Sequence, residues 1–213
     1  MKFVYSGGYN KYNLKSIKQS ILYRYQKPII NTAKQGKKIA IITLAKPDNY
    51  YSQTIAKLYK HKLIVIINSQ NINKIGWSDF DVFLILGGDN LKLYNPLKKN
   101  EFSLNLLKSN VVLIGDSAGA FVLSSYFYDR DIDFENKYSS ENIKFFKGFY
   151  PESQVITIAH TNNPRYVNQK LITKTKVFAK KKHLKVLKLN ENEEKLLSKN
   201  GEFIDFDRKH IFD

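Results

Sequence analysis

Short runs of apolar residues recur along this chain, and most are separated by longer stretches with helix-like spacing of apolar positions. Runs rich in Ile and Val are typical of strands that are buried on both faces of a sheet. Seven runs are predicted as strands: Lys2–Ser6, Lys38–Leu44, Leu63–Ile67, Val82–Leu86, Val111–Ile114, Val155–Ala159 and Lys185–Leu189.

The intervals between several of these runs predict helices. They are Leu14–Tyr25 or beyond, Tyr51–Tyr59, Leu91–Leu107 and Ala118–Tyr126. Pro28 is expected to end or break the first of them, because proline has no backbone N–H and clashes with the preceding turn. Strands that alternate with helices indicate an α/β protein with a parallel, doubly wound sheet.

Two segments depart from the alternation of strands and helices. Asp129–Pro151 is polar, aromatic and irregular, and we expect a loop or short hairpin near the active end of the sheet. Asn200-Gly201 predicts a tight turn between strands at Lys195–Ser198 and Glu202–Phe206. The chain shows no repeat and no linker, so residues 1–213 are expected to form a single domain.

Composition limits where such a chain can work. It is 43% hydrophobic but contains no run of 18 apolar residues, so no transmembrane helix is predicted. The apolar part of Met1–Gly8 is too short for a signal peptide. The absence of cysteine excludes disulfides and thiol catalysis and agrees with a cytoplasmic protein.

The net charge of +16 raises the question of an anionic partner. The basic residues are nearly all lysines spread along the chain, and Lys, Asn, Ile and Tyr are abundant together, as in AT-rich coding sequences. No aromatic and basic residues interleave as in RNA-binding proteins, which argues against nucleic acid as a partner. A positive field that attracts acidic substrates is the milder interpretation.

The segment with the clearest chemistry is Gly115-Asp116-Ser117-Ala118-Gly119, which directly follows an apolar strand. The G-x-S-x-G spacing lets a serine occupy a strained strand-to-helix turn with its hydroxyl exposed. Ser117 is therefore a candidate nucleophile. The alternative is an ordinary turn in which Ser117 caps the helix that follows.

A serine nucleophile needs a base and, behind it, an orienting carboxylate. His160 is preferred among the four histidines, because it ends a predicted strand, and sites in parallel sheets form at the carboxyl ends of strands. Glu191 also follows a strand and is the preferred carboxylate. The remaining histidines are His61, His183 and His210, and the alternative carboxylates are Asp131, Asp133 and Glu135.

An oxyanion hole needs backbone N–H groups near the nucleophile. Gly88 follows the strand Val82–Leu86, and Ala118 directly follows Ser117, so both amides are candidates. The glycine pair could instead form a simple helix-entry turn or an anion site at a helix N-terminus. No cluster of His and Asp suggests a metal, and no cofactor is expected.

These motifs together resemble the serine peptidases of the peptidase E (aspartyl dipeptidase) and cyanophycinase family. Gly115-Asp116-Ser117-Ala118-Gly119-Ala120 matches the nucleophile motif of that family in full. Weaker similarities are found, in the family's order, at Leu86-Gly87-Gly88-Asp89-Asn90, at His160-Thr161-Asn162-Asn163-Pro164-Arg165 and at Leu189-Asn190-Glu191-Asn192. Asp89 and Ala159 depart from the family pattern, and Asp129–Pro151 has no counterpart.

The resemblance implies a flavodoxin-like three-layer sandwich with a mostly parallel central sheet, similar to the class I glutamine amidotransferase domain. It also implies hydrolysis of short peptides, chiefly dipeptides with an N-terminal Asp, by Ser117, His160 and Glu191. Asn90 and Arg165 would bind substrate, since the fork of a guanidinium suits a carboxylate. The protein would act as a monomer or homodimer.

Two other functions compete with this hypothesis. An esterase of the α/β-hydrolase class would order its triad as Ser, acid, His, which here requires His183 or His210. The chain after Ser117 is short for that fold, and the His-Gly-Gly-Gly motif is absent. A binding protein that retains the fold without catalysis is the other alternative.

Overall fold

The computed structural model describes residues 1–9, 20–47, 50, 61–130, 142–198 and 201–206. Within these ranges the protein is α/β, with two mixed sheets in which most strand pairs are parallel. The strands are β1 Lys2–Ser6, β2 Ile39–Ile42, β3 Ile64–Ile67, β4 Val82–Ile85, β5 Val112–Asp116, β6 Tyr126–Arg130, β7 Ile143–Lys147, β8 Val155–Ile158, β9 Lys185–Lys188, β10 Glu194–Leu197 and β11 Phe203–Asp205. The helices are α1 Ile21–Arg24, α2 Gln26–Lys34, α3 Asn90–Lys99, α4 Ala118–Val122 and α5 Gln169–Lys181.

All seven apolar runs predicted as strands are strands, but they do not lie in one sheet. The larger sheet has the order β11-β10-β1-β5-β4-β2-β3, and its first two pairs are antiparallel. The smaller sheet has the order β7-β6-β8-β9. The expectation of one parallel sheet is therefore wrong. After the short helix α4 the chain enters the smaller sheet, where β6 pairs with β7 and β8.

The register of the parallel strands brings their carboxyl ends to a common edge. Ser6 at the end of β1 lies opposite Asp116 at the end of β5, and Ile85 at the end of β4 lies opposite Gly115. The loops that follow these strands therefore meet at one place, as the rule for open α/β sheets anticipates.

The helix predictions need several corrections. The helix expected over Leu91–Leu107 ends at Lys99, and the one expected over Ala118–Tyr126 ends at Val122. The first helical stretch is interrupted at Tyr25, whereas Pro28 lies in the first turn of α2, where its missing N–H costs no intrahelical bond. The predicted helix Tyr51–Tyr59 and the start of the helix from Leu14 lie outside the described residues.

Helix α5 was not predicted, although the sequence contains its signals. Leu171, Thr175 and Ala179 recur at helical spacing and are buried, and the Asn168 side chain caps the helix by accepting from the Leu171 N–H at 2.9 Å. Six lysines lie between Lys170 and Lys182, and they make the helical spacing of the apolar positions hard to recognise in the sequence.

Both predicted hairpin regions contain antiparallel strand pairs. β6 pairs with β7 from Tyr126 opposite Lys147 to Arg130 opposite Ile143, so the hairpin interpretation of Asp129–Pro151 is confirmed for its ends. β10 pairs with β11, with Leu197 opposite Phe203. Residues 131–141 and Asn200 lie outside the described part of the chain.

The core lies on both faces of the larger sheet, which is compatible with a three-layer α/β sandwich. One cluster packs α1 and α2 against one face through residues such as Val4, Tyr25 and Ile41. The other cluster lies between the opposite face, α3, α4 and the smaller sheet, and includes Tyr5, Phe83 and Phe127. No helix in the described ranges is long and apolar enough to cross a bilayer.

The aromatic group around Phe83 gives a test of the core. Phe83 is fully buried, and its ring lies 5.4 Å from that of Phe80 and 5.9 Å from that of Phe102. We expect Phe83→Ala to lower the free energy of unfolding by about 3–5 kcal/mol, measured by denaturant titration. Leu106→Ala is the control, because Leu106 is 49% exposed and its loss should cost no more than about 0.5 kcal/mol. Equal costs in the two variants would contradict this account of the core.

Candidate active site

Ser117 lies in a strained turn between β5 and α4. Its backbone has φ 48° and ψ −103°, a conformation that costs a non-glycine residue about 1–3 kcal/mol. The turn is held by the Ser117 N–H, which donates to the Ser6 carbonyl at 2.9 Å. Ser117 stands at the N-cap position of α4, as the alternative interpretation expected, but its side chain makes no capping hydrogen bond with the helix.

The Ser117 hydroxyl instead meets His160, and His160 meets Glu191. Ser117 Oγ lies 3.0 Å from His160 Nε2, and His160 Nδ1 lies 3.1 Å from Glu191 Oε1. With the Nδ1 proton donated to the carboxylate, Nε2 is left as an acceptor for the serine hydroxyl. The structure thus brings the three residues into one hydrogen-bonded line at the carboxyl ends of the strands.

His160 is fixed on several sides. Its own backbone is left-handed, with φ 58°, and its N–H donates to the Gly7 carbonyl at 3.2 Å. The Tyr166 ring stacks on the imidazole at a centroid distance of 4.3 Å. The side chain is only 10% exposed, so its orientation is set by the protein rather than by solvent.

Glu191 is held in the turn between β9 and β10 by two asparagines. Asn163 Nδ2 donates to Glu191 Oε1 at 2.8 Å, and the Glu191 N–H donates to Asn162 Oδ1 at 2.8 Å. The hydrogen bond with His160 lowers the pKa of Glu191, and the bond from Asn163 adds to this against the effect of burial. Glu191 therefore stays ionised through the neutral range.

Gly8 packs closely against both Ser117 and His160. Its φ is +83°, and a Cβ at this position would lie 2.5 Å from His160 Nε2 and 3.1 Å from the Cβ of Ser117. Its carbonyl accepts from the Asn192 N–H at 2.8 Å, next to Glu191 in sequence. The glycine turn after the first strand thus lies against both His160 and Ser117.

The two amides predicted as an oxyanion hole are those of Ala118, which directly follows Ser117, and of Gly88, which lines the same cavity as Ser117. Ala118 is the first residue of α4, and neither its N–H nor that of Gly88 donates to an acceptor among the described residues. Gly88 has φ +152°, and a Cβ there would clash with the Ala45 carbonyl. A neighbouring glycine, Gly87, passes close to Ser117, since a Cβ on it would lie 3.1 Å from the serine Cβ.

A cavity of about 910 Å³ opens directly onto this site. Such a volume suits a small-molecule or short-peptide ligand. Tyr9 and Tyr50 also line the cavity, and their hydroxyls lie 3.4 Å apart. Charged side chains on its wall include Lys46, Lys92 and Asp116.

The two predicted substrate-binding residues lie in different settings. Asn90 lines the cavity, but its side-chain amide donates to the Tyr128 carbonyl at 2.9 Å and so also joins α3 to β6. Arg165 is exposed and is not part of the cavity wall, which Tyr166 forms on this side. The structure does not bring Arg165 together with Ser117.

The alternative site residues are not brought to Ser117 where the structure describes them. His61 precedes β3 and His183 precedes β9, so both lie at amino ends of strands. His210 and the carboxylates Asp131, Asp133 and Glu135 lie outside the described residues. Among the residues described, no group of three or more His, Asp or Glu side chains is placed to hold a metal ion.

Several site residues were not singled out from the sequence. Asn163 and Tyr166 follow His160 in the same loop, and their nearness to a candidate base was the signal that could have found them. Gly8 follows a predicted strand, but only the three-dimensional register shows that it lies against His160.

No protein-family model and no curated protein matches the sequence.

Gly8 can be tested against a matched glycine. Gly36 has nearly the same backbone, φ +86°, but a Cβ there would meet no atom within 4 Å. An alanine at either position lowers the free energy of unfolding by about 1 kcal/mol, because the backbone there is left-handed. In Gly8→Ala the new methyl group must also displace His160. We expect the loss of unfolding free energy to be larger for Gly8→Ala by about 1–3 kcal/mol, measured by denaturant titration. Equal losses would show that the contact with His160 is not tight.

Proposed function

We propose that this chain is a serine hydrolase that cleaves short peptides through an acyl-enzyme on Ser117. The observation that carries the proposal is the unbroken line from Ser117 through His160 to Glu191, with heavy-atom distances of 3.0 and 3.1 Å. These distances lie within the range of a nucleophile, its base and an orienting carboxylate. The cavity in front of Ser117 supplies room for a substrate.

The mechanism follows from the roles that this geometry supports. His160 Nε2 takes the proton of Ser117 as its Oγ attacks the substrate carbonyl, and the ionised Glu191 stabilises the imidazolium that forms. The amides of Gly88 and Ala118 stabilise the developing oxyanion. His160 then gives its proton to the leaving amine, and a water molecule releases the acyl group by the same steps in reverse.

The proposal extends to the fold and to the substrate by resemblance. The five neighbouring parallel strands β1-β5-β4-β2-β3, with helices on both faces, support a flavodoxin-like fold similar to the class I glutamine amidotransferase domain. The resemblance to the peptidase E family favours dipeptides with an N-terminal Asp. Lys46 and Lys92 on the cavity wall, rather than Arg165, would then meet the acidic side chain.

The nucleophile is tested with a fluorophosphonate probe on the intact protein. We expect labelling of the wild type, none in Ser117→Ala, and a rate at least about 10³-fold lower in His160→Gln. His183→Gln is the matched control. In the α/β-hydrolase order of Ser, acid and His, the base would be a histidine that follows His160 in the sequence, such as His183. Labelling that survives in Ser117→Ala, or that is lost in His183→Gln, would contradict the assigned triad.

The substrate is tested with a dipeptide panel. Asp-Xaa peptides are compared with Ala-Xaa, Glu-Xaa and β-aspartyl peptides, and Ser117→Ala reports any background hydrolysis. We expect the highest kcat/KM for Asp-Xaa. Cleavage of other dipeptides without cleavage of Asp-Xaa would remove the specificity and leave the hydrolase, whereas an inert wild type in both assays would favour a binding protein.

A further inference from the structure

Asp116 is a carboxylate on the cavity wall that the triad does not use. It is the last residue of β5 and directly precedes Ser117. It lines the cavity together with Ser117 and His160, although it is only 2% exposed. A carboxylate is rarely buried to this extent unless hydrogen-bond donors or a cation meet it. The surroundings of its two oxygens therefore indicate what it does.

Ser6, at the end of β1, holds one oxygen of this carboxylate. The Ser6 hydroxyl donates to Asp116 Oδ1 at 2.9 Å. The same hydroxyl oxygen accepts from the Gly8 N–H and from Arg24 Nη2, each at 3.4 Å. Because these two donors occupy the lone pairs of the hydroxyl oxygen, its proton is directed to Asp116 and the orientation of the carboxylate is fixed.

The other oxygen, Asp116 Oδ2, is left for the cavity. No group in the described part of the chain donates a hydrogen bond to it, yet it is not among the polar atoms that are sealed in the interior. A Cβ on Gly87, which also lines the cavity, would stand 3.1 Å from Oδ2 and 3.1 Å from Ser117 Cβ. Oδ2 and Ser117 Cβ thus flank one position and are at most twice that distance apart.

This position suits the amino group of the first residue of a peptide. In such a residue the α-ammonium nitrogen lies about 2.5 Å from the carbonyl carbon. A carbonyl carbon that is ready for attack lies about 3–3.5 Å from the nucleophile. The ammonium next to the scissile bond therefore lies within about 6 Å of Ser117 Oγ, where Oδ2 can accept a charge-assisted hydrogen bond of about 2.8 Å.

Two other carboxylates on the described cavity wall are placed differently. Asp89 is exposed and caps α3, because its side chain accepts from the Lys92 N–H at 2.8 Å. Asp129 lies on β6, in the smaller sheet. Neither belongs to the turn that carries Ser117, so Asp116 is the carboxylate nearest in the chain to the nucleophile.

The burial of Asp116 makes it selective for a positively charged group. Burial raises the pKa of Asp116 above its ordinary value. An ammonium ion beside Oδ2 has the opposite effect, because a nearby positive charge favours the ionised carboxylate. The ligand itself therefore favours the ionised form, and the interaction does not require Asp116 to be ionised in the empty cavity.

We propose that Asp116 Oδ2 binds the α-ammonium group of the first residue of the substrate and so restricts the site to peptides with a free amino terminus. This inference rests on the proposed serine hydrolase function and deepens it, since it assigns the part of the substrate next to the scissile bond. Ser6 acts as the positioning residue, because its hydroxyl holds Oδ1 and leaves Oδ2 toward the ligand.

The role of the amino group is tested with pairs of ligands that differ in that group alone. Succinyl-leucine is Asp-Leu without its amino group, and propanoyl-leucine is Ala-Leu without it. Isothermal titration calorimetry measures their binding to the full chain with Ser117→Ala, which prevents turnover. We expect each dipeptide to bind at least about 10-fold more tightly than its partner, because the partner lacks the charge-assisted hydrogen bond.

Asp116→Asn, made in the same Ser117→Ala protein, tests the residue. It removes the charge and keeps an oxygen that can accept from Ser6. We expect the two members of each ligand pair to bind this variant within about 2-fold of each other. Asp89→Asn is the matched control, because it changes another cavity carboxylate while asparagine still caps the helix, and it should keep the preference for the dipeptides.

A preference that survives in folded Asp116→Asn overturns the inference, as does equal affinity within both ligand pairs in the Ser117→Ala protein. If Asp116→Asn does not fold, Ser6→Ala decides. It removes the hydrogen bond that orients the carboxylate and should narrow the preference by about 3-fold or more, and an unchanged preference overturns the inference.

Failure of the proposed function is recognised separately. A wild type that is neither labelled by the fluorophosphonate nor hydrolytic contradicts the hydrolase, whereas the preference for the amino group is measured without turnover. A protein that is labelled on Ser117 but binds no dipeptide overturns the inference and leaves the hydrolase in place.

Discussion

The close approach of backbone to backbone at the carboxyl edge of the larger sheet is the constraint on which the site depends. Helix α4 begins so near to β4 and β5 that a Cβ on Gly119 would clash with the Ile85 carbonyl, and one on Gly115 would lie 2.6 Å from the Gly119 carbonyl group. This contact forces the chain to reverse within one residue. Ser117 is the residue at which the chain reverses, and its φ is positive. Its hydroxyl is turned toward His160 instead of toward its own helix.

A second close contact between backbone segments joins the two sheets. Gly7 donates its N–H to the Glu193 carbonyl at 2.9 Å and accepts from the His160 N–H, while Gly8 accepts from the Asn192 N–H. The turn after β1 is thereby bonded to the end of β8 and to the turn before β10. The segments that the two glycines join bring His160 and Glu191 together, while Ser117 comes from the turn after the neighbouring strand β5.

Much of this arrangement could be predicted from the sequence, because burial on both faces of a strand leaves uninterrupted apolar runs and their carboxyl ends must meet. Ser117, His160 and Glu191 each follow such a run and are brought together. Arg165 was expected at the substrate on resemblance alone, and the loop turns Tyr166 rather than Arg165 to the cavity. Sequence pattern carries little information on which way an exposed loop residue points.

The division into two sheets could not be predicted for a related reason. The apolar pattern of a strand does not depend on which strand it pairs with. The pattern of the strands after α4 is therefore equally compatible with one continuous sheet. Their separation depends on α4 being only five residues long and on β6 pairing with β7. The asparagines and the tyrosine around the triad are likewise set by tertiary register and not by any local period.

The electrostatics of the site are set by a few buried charges rather than by the net charge of +16. Lysines that lie far from the site interact weakly with it, because water and salt screen charges beyond about 10 Å. Arg24 acts at short range in a low-dielectric environment, and its planar guanidinium can address Ser6, Asn192 and Glu194 at once, which a lysine ammonium does less well. A chain with only four arginines has placed one of them against Ser6, at the end of the strand that pairs with β5, and so within reach of the turn that carries the candidate nucleophile.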